Sequence, residues 1–182
     1  DTRGMVHMDQ GVSLPKLLGL LRPGDIVTHC YQGKGDHILD ASGQVLDAVY
    51  EARDRGIIFD LGHGAGSFHY DVAQEAVKQG FLSDVISTDL HVYSLFDPVY
   101  SLPETASKLL NMGLPFDEIV RQTTLNPADA IGRAEHLGTL RPGSVADIAV
   151  FDILEGSFVY TDSHGNQESG SLKIEPVFTV RD

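Results

Sequence analysis

Four short apolar runs, each ending in or leading to a polar residue with acid–base or metal-binding chemistry, set the strongest limit on how this chain can fold. Met5-Val6-His7-Met8, Asp25-Ile26-Val27-Thr28-His29, Ile57-Ile58-Phe59-Asp60-Leu61 and Asp84-Val85-Ile86-Ser87-Thr88 all read as strands. Helical segments separate them. Residues 14–21 are Leu-rich and stop at Pro23-Gly24. Residues 44–53 place Val45, Leu46, Val49 and Ala52 at helical spacing and stop at Gly56, and residues 70–78 stop at Gly80. Parallel strands need crossovers, and helices supply them. The expectation is therefore an α/β fold, either a doubly wound sheet or a (β/α)8 barrel, and the alternation alone does not choose.

Beyond the fourth run the texture is helical, over 105–112, 116–123 and a third segment opening at Asn126-Pro127, where Asn can cap and Pro can take the first helical position. From Leu140 it changes again. Residues 145–153 are strand-like, and 157–182 are rich in Thr, Val, Ser and Gly without a helical period. A boundary near Gly138 divides an α/β part, 1–137, from a small β segment, 138–182.

Composition excludes several classes. A formal charge of −13 repels a phosphate backbone, so nucleic acid is not an expected partner. No run of 18 apolar residues exists to span a membrane. The lone Cys30 has no internal disulfide partner, which makes a reducing, cytoplasmic setting the default. The opening Asp1-Thr2-Arg3-Gly4 has neither an initiator Met nor a signal-peptide pattern, as expected of a partial sequence.

His7 ends the first run, His29 the second, His63 follows the third in Gly62-His63-Gly64, and Asp89 follows the fourth. In barrels and open α/β sheets, active sites lie at the carboxyl ends of strands. Imidazole nitrogen and carboxylate oxygen suit zinc and similar ions, and a carboxylate beside a water can take and return its proton. The blander roles are a hydrogen-bonding His at a strand end and an Asp capping a turn. Cys30, next to His29, points to the opposite face and reads as packed apolar. His37, His69, His136 and His164 read as solvated, whereas His91, two residues beyond Asp89, can face the pocket. Gly62 to Ser67 reads as a tight turn with Ser67 capping the following helix; an anion cradle is its functional version.

The four runs, taken in order with their ends (Met5-Val6-His7, Asp25 through Cys30, Phe59 through Gly64, Ile86 through His91), resemble the amidohydrolase superfamily, closest its amidohydrolase/deacetylase branch related to dihydroorotases. Thr123-Thr124-Leu125-Asn126-Pro127-Ala128 resembles the helix start after that family's eighth strand. The stretch Leu137-Gly138-Thr139-Leu140-Arg141-Pro142-Gly143-Ser144-Val145-Ala146-Asp147-Ile148-Ala149-Val150-Phe151-Asp152 is similar to its return from barrel to small β-sandwich. The resemblance implies the second half of a (β/α)8 barrel, about strands five to eight, plus part of the small β domain. It implies one or two divalent metal ions in the parent protein, zinc first among the candidates, with His7, His29 and Asp89 as ligands and Asp89 also as general base. His63 is implied on the substrate side, where Gly64, in the Gly62–Ser67 loop, and His91, two residues beyond Asp89, are expected by position. The family's His-x-His pair of strand one and lysine of strand four have no counterpart here, which leaves three of six usual ligand positions.

The function implied is hydrolysis of an amide or acyl C–N bond in a small molecule, of deacetylase or cyclic amidase type. The alternative is an inactive, amidohydrolase-like assembly protein, which loss of the strand-end His and Asp would favour. A nucleotide-binding doubly wound domain needs a Gly-rich turn after the first strand, and His7-Met8-Asp9-Gln10-Gly11 is not one. Open strand edges predict a homo-oligomer, or association with a missing N-terminal half.

Overall fold

The structure is a computed structural model that describes residues 2–8 and 11–181. Asp9 and Gln10 lie outside the described residues. Three strands, β1 (Met5–His7), β2 (Ile26–Thr28) and β3 (Ile58–Phe59), form a parallel sheet in the order β1-β2-β3. The fourth expected strand is reduced to one parallel bridge, Asp60 to Val85. The ladder nonetheless continues: Leu61 N–H donates to Val85 C=O at 2.9 Å, His63 N–H to Ser87 C=O at 3.2 Å and Gly64 N–H to Thr88 C=O at 3.0 Å. Residues 84–88 therefore run alongside the loop after β3, while Ile86 N–H turns to Gln122 C=O instead of to another strand.

The crossovers are helical, as parallel pairing requires. Helix α1 (Leu14–Leu20) links β1 to β2, α2 (Asp47–Asp54) links β2 to β3, and α3 (Tyr70–Lys78) follows β3. Helix α2 begins three residues later than its apolar spacing predicts. Val45 is held in an antiparallel bridge with Leu39, and Leu46 N–H donates to Ile38 C=O, so 44–46 close a small loop before the helix starts.

Helices α4 (Leu102–Asn111), α5 (Phe116–Thr123) and α6 (Leu125–Ala130) come next. Ser101 caps α4, its Oγ accepting from Glu104 N–H at 3.2 Å, and Pro103 sits in the first turn where no N–H is missed. Asn126 does not cap α6 as expected; Thr124 stands at the cap position, and Asn126 Nδ2 donates to Asp84 C=O at 2.7 Å. Asn126 thus ties α6 to the start of the fourth ladder.

The rest is one long hairpin, β4 (Ile148–Thr161) against β5 (Gln167–Val180), antiparallel, with register shifts at Val150/Phe151 and Glu155/Phe158. It does not stand apart from the α/β part. Tyr160 and Ile174 join the core cluster that contains Val27, Phe59 and Leu109. Among the described residues no helix is long and apolar enough to cross a membrane.

Candidate active site

β1 and β2 run in register, His7 opposite Thr28, so His29 emerges one residue past the sheet beside His7. Their rings meet edge-on with centroids 4.3 Å apart. Across from them, His29 Nε2 faces Asp89 Oδ2 at 3.9 Å. His29 is buried, whereas His7 is exposed and the Asp89 side chain is half exposed. The structure thus brings His7, His29 and Asp89 to one rim.

The backbone there is unusual. His29 has φ 64° and Asp89 φ 45°; among the described non-glycine residues only Tyr100 shares this left-handed conformation. An L-residue adopts it at an energetic penalty, and such strain concentrates at functional positions. Gly62 and Gly64, also left-handed, let the neighbouring loop approach closely. A Cβ on Gly62 would lie 2.9 Å from His29 Nδ1, and one on Gly64 would lie 2.9 Å from Asp89 Oδ2. Gly64 therefore lines the site, but its N–H is already given to Thr88 C=O and its C=O accepts from Ser163 Oγ at 2.8 Å.

His29 Nδ1 lies 2.5 Å from Gly62 C=O. A carbonyl only accepts, so Nδ1 carries the hydrogen, and in the neutral ring the free lone pair is then on Nε2, on the side of Asp89. The separation of 3.9 Å is too long for a hydrogen bond. The donors, two imidazoles and a carboxylate, suit zinc or a similar cation. Among the described residues no group of three such donors is drawn together tightly enough to hold an ion alone. The residues fit a metal as part of a ligand set.

His63 is put to a different use from the substrate-side role expected of it. It is wholly buried, stacks on Phe68 at 4.7 Å, and its Nε2 lies 2.8 Å from Lys108 Nζ. Lys108, itself buried, also donates to Pro98 and Thr161 carbonyls, both at 2.7 Å. Burial, then the Lys108 charge, lowers the His63 pKa to about 3, and burial lowers that of Lys108 to about 8. His63 is a pin between the site loop, α4 and the hairpin. His91 is exposed, with Nδ1 accepting from Tyr93 N–H at 3.3 Å.

Ser67 does not cap α3; His69 holds that position with no side-chain cap. His69 and His164 are not solvated either. They are half-buried and pack with ring centroids 4.7 Å apart, joining α3 to the hairpin turn. Cys30 is fully buried, as expected, and burial raises its thiol pKa well above the ordinary value. The residue that strand-end reasoning missed is Asp60. Its Oδ2 accepts from Thr28 Oγ1 at 2.6 Å and from Ser87 Oγ at 2.9 Å, beneath the His29–Asp89 pair. A lone carboxylate inside Ile57-Ile58-Phe59-Asp60-Leu61 was the available signal.

Residues 36–178 match the amidohydrolase family. The chain belongs to that family. This amidohydrolase chain is 37% identical to a deacetylase of Agrobacterium fabrum, over 97% of its own length and 43% of the relative. An adenine deaminase crystal structure superposes with a TM-score of 0.92 at 35% identity, covering 97% of this chain and 48% of the other. A dihydroorotase crystal structure gives a TM-score of 0.81 at 36% identity, covering 97% of this chain and 46% of the other. The chain spans under half the length of the curated deacetylases it matches, 43%, 44% and 48%.

Proposed function

We propose that the protein carrying this chain is a metal-dependent hydrolase of an amide or acyl C–N bond in a small molecule, with an N-acyl amino acid or a cyclic amide as substrate. The reading rests on the facing of His29 Nε2 and Asp89 Oδ2 at 3.9 Å, with His29 fixed in the tautomer that offers Nε2 to a cation. The deacetylase names of relatives support the substrate class, and the barrel reading places this rim at the carboxyl ends of strands five to eight.

His29, Asp89 and the adjacent His7 would hold the ion, zinc first among the candidates, together with ligands from elsewhere. When bound, the ion supplies Lewis acidity toward water and the substrate carbonyl. Asp89, half exposed, accepts the proton of the attacking water and returns it to the leaving nitrogen. Gly64 leaves room beside both groups for the substrate, and His91 stands two residues beyond Asp89 at the rim as a further substrate contact.

The test uses the full-length product of the gene, assayed against N-acetyl amino acids and cyclic amides before and after chelation. Turnover should vanish on chelation and return with zinc. Asp89→Asn should lower kcat by roughly 10²–10⁴-fold with the fold intact, since an amide of nearly equal size cannot take the proton. Turnover within a few-fold of wild type would remove the base role. No turnover on any substrate, with no metal bound, would favour an assembly protein.

A further inference from the structure

Asp60 is the charged residue of the apolar run around β3, 2% exposed, and no step of the proposed chemistry uses it. Its backbone lies between the two ligand-bearing segments. Asp60 N–H donates to Val27 C=O, its C=O accepts from Cys30 N–H, and it bridges Val85. The side chain repeats the link. Oδ2 takes hydrogen bonds from Thr28, which precedes His29, and from Ser87, two residues before Asp89. The two hydroxyls thus hang both candidate ligands from one oxygen. A Cβ at Gly62 would lie 3.1 Å from Asp60 Oδ2, 2.3 Å from Thr28 Oγ1 and 2.9 Å from His29 Nδ1, so these groups converge on one spot.

The other oxygen is unusual. Asp60 Oδ1 is buried and has no hydrogen-bond partner among the described residues. A buried carboxylate so placed needs compensating positive charge. Burial raises the Asp60 pKa, opposed by the Thr28 and Ser87 hydroxyls, by His29 and by the Gly62 N–H, and among the described residues no Lys or Arg forms an ion pair with it. A cation held by His29 and Asp89 would bring positive charge toward the unpartnered Asp60 oxygen.

We infer that Asp60 is the positioning residue of the His29–Asp89 pair, fixing the spacing of the two strand ends through Thr28 and Ser87 and balancing the charge of the cation between them. The inference rests on the metal-dependent reading of the site.

The probe is Co²⁺ alone, added to the metal-free full-length protein; its visible d–d bands report coordination geometry, and competition with a chromogenic chelator gives Kd. Asp60→Asn keeps the size and removes the charge, and should weaken Co²⁺ binding about 10–100-fold, the range typical of outer-shell partners, and alter the bands. Ser87→Ala and Thr28→Val keep the charge and release one strand end each. Both should weaken binding by at least about 3-fold, a smaller effect than that of Asp60→Asn. A merely structural Asp60 would lower Tm of the metal-free protein and leave Kd and the bands unchanged. Asp60→Asn binding within 2-fold of wild type with unaltered bands overturns the inference. If Asp60→Asn does not fold, unchanged Kd in both hydroxyl variants overturns it instead. His29→Ala separates the two levels of argument. If it binds Co²⁺ as well as wild type, or wild type binds none, the metal reading falls and this inference with it.

Discussion

His63 stays neutral where a free histidine would gain a proton. Its folded pKa is lowered from 6.5 to about 3, with burial as the largest cause and the Lys108 charge second. The sign follows from linkage. Between these two values the unfolded chain binds the proton and the folded chain does not, so stability falls as pH falls through that window. The full slope for one group is about 1.4 kcal/mol per pH unit. Lys108 acts at the other end. Its folded pKa of about 8 lies below the ordinary 10.5, so stability should rise as pH rises through that interval. Urea midpoints at ~pH 7, ~5 and ~4 should fall in wild type and fall less steeply in His63→Gln, by about one proton's worth of slope. Parallel slopes would mean that His63 is protonated in the fold. This histidine also marks a limit of the sequence. That His7, His29 and Asp89 share a rim was legible because each ends or follows an apolar run that pairs with its neighbour, as a strand or, for 84–88, as a single bridge. His63 fits the same rule, yet its ring turns inward to Lys108, 45 residues away. Strand-end position tells which rim a residue joins; what the side chain touches there depends on a helix that no local pattern connects to it.

The hairpin is fastened to α4 by a short polar seam. Asn111 Oδ1 accepts from Ser171 N–H at 2.8 Å and Leu172 N–H at 3.1 Å, and its Nδ2 donates to Leu172 C=O at 2.7 Å. Ser107 Oγ accepts from Ile174 N–H at 2.9 Å. Asn111→Ala would remove all three of these hydrogen bonds and leave two strand N–H groups without their partner, a loss of about 3 kcal/mol at roughly 1 kcal/mol per bond. Denaturant unfolding should show it, and amide exchange at Ser171 and Leu172 should speed up; unaltered exchange there would show that the seam is held by Tyr160 and Ile174 packing instead. Elements with their own local signals were readable. Helix α5 spans the residues its spacing indicates, and α4 gains its first turn from Ser101 and Pro103. Elements whose ends depend on distant partners were not. Val45 leaves α2 for Leu39, residues 84–88 thin to a single bridge because Ile86 pairs with α5, and Asn126 serves Asp84 rather than the helix end. The strand-like run to Ile153 continues through Gly156 because β5 pairs along its whole length, with the chain irregular around that glycine.

Neither sheet is closed within the described residues. β1 pairs only with β2, and β4 only with β5, so the outer edges of β1, β4 and β5 have no strand neighbour there. Exposed backbone N–H and C=O groups at such edges are templates for further pairing. The side chains nearby make the case stronger. Met5 on β1 is 60% exposed, Leu20 at the end of α1 is 73% exposed, and Val159, Val177, Phe178 and Val180 stand out from the hairpin. Monomeric proteins rarely leave apolar patches beyond a few hundred Å2. Covering about 400 Å2 of such surface would contribute on the order of 10 kcal/mol at ~25 cal/mol per Å2. Against this stands the charge of −13, which repels a second copy but is screened within about 8 Å at physiological salt. Apolar burial and edge pairing outweigh a screened surface repulsion, so the 182 residues expressed alone should self-associate. Pairing two copies about a two-fold axis would join like edge to like edge and satisfy both. Light scattering coupled to size exclusion, at roughly 10 µM, should give a mass of at least twice 19.7 kDa, and raising salt should strengthen the association by screening the repulsion. A single monodisperse peak at 19.7 kDa, unmoved by salt, would show that these edges are stable in water and that no second surface is needed to cover them.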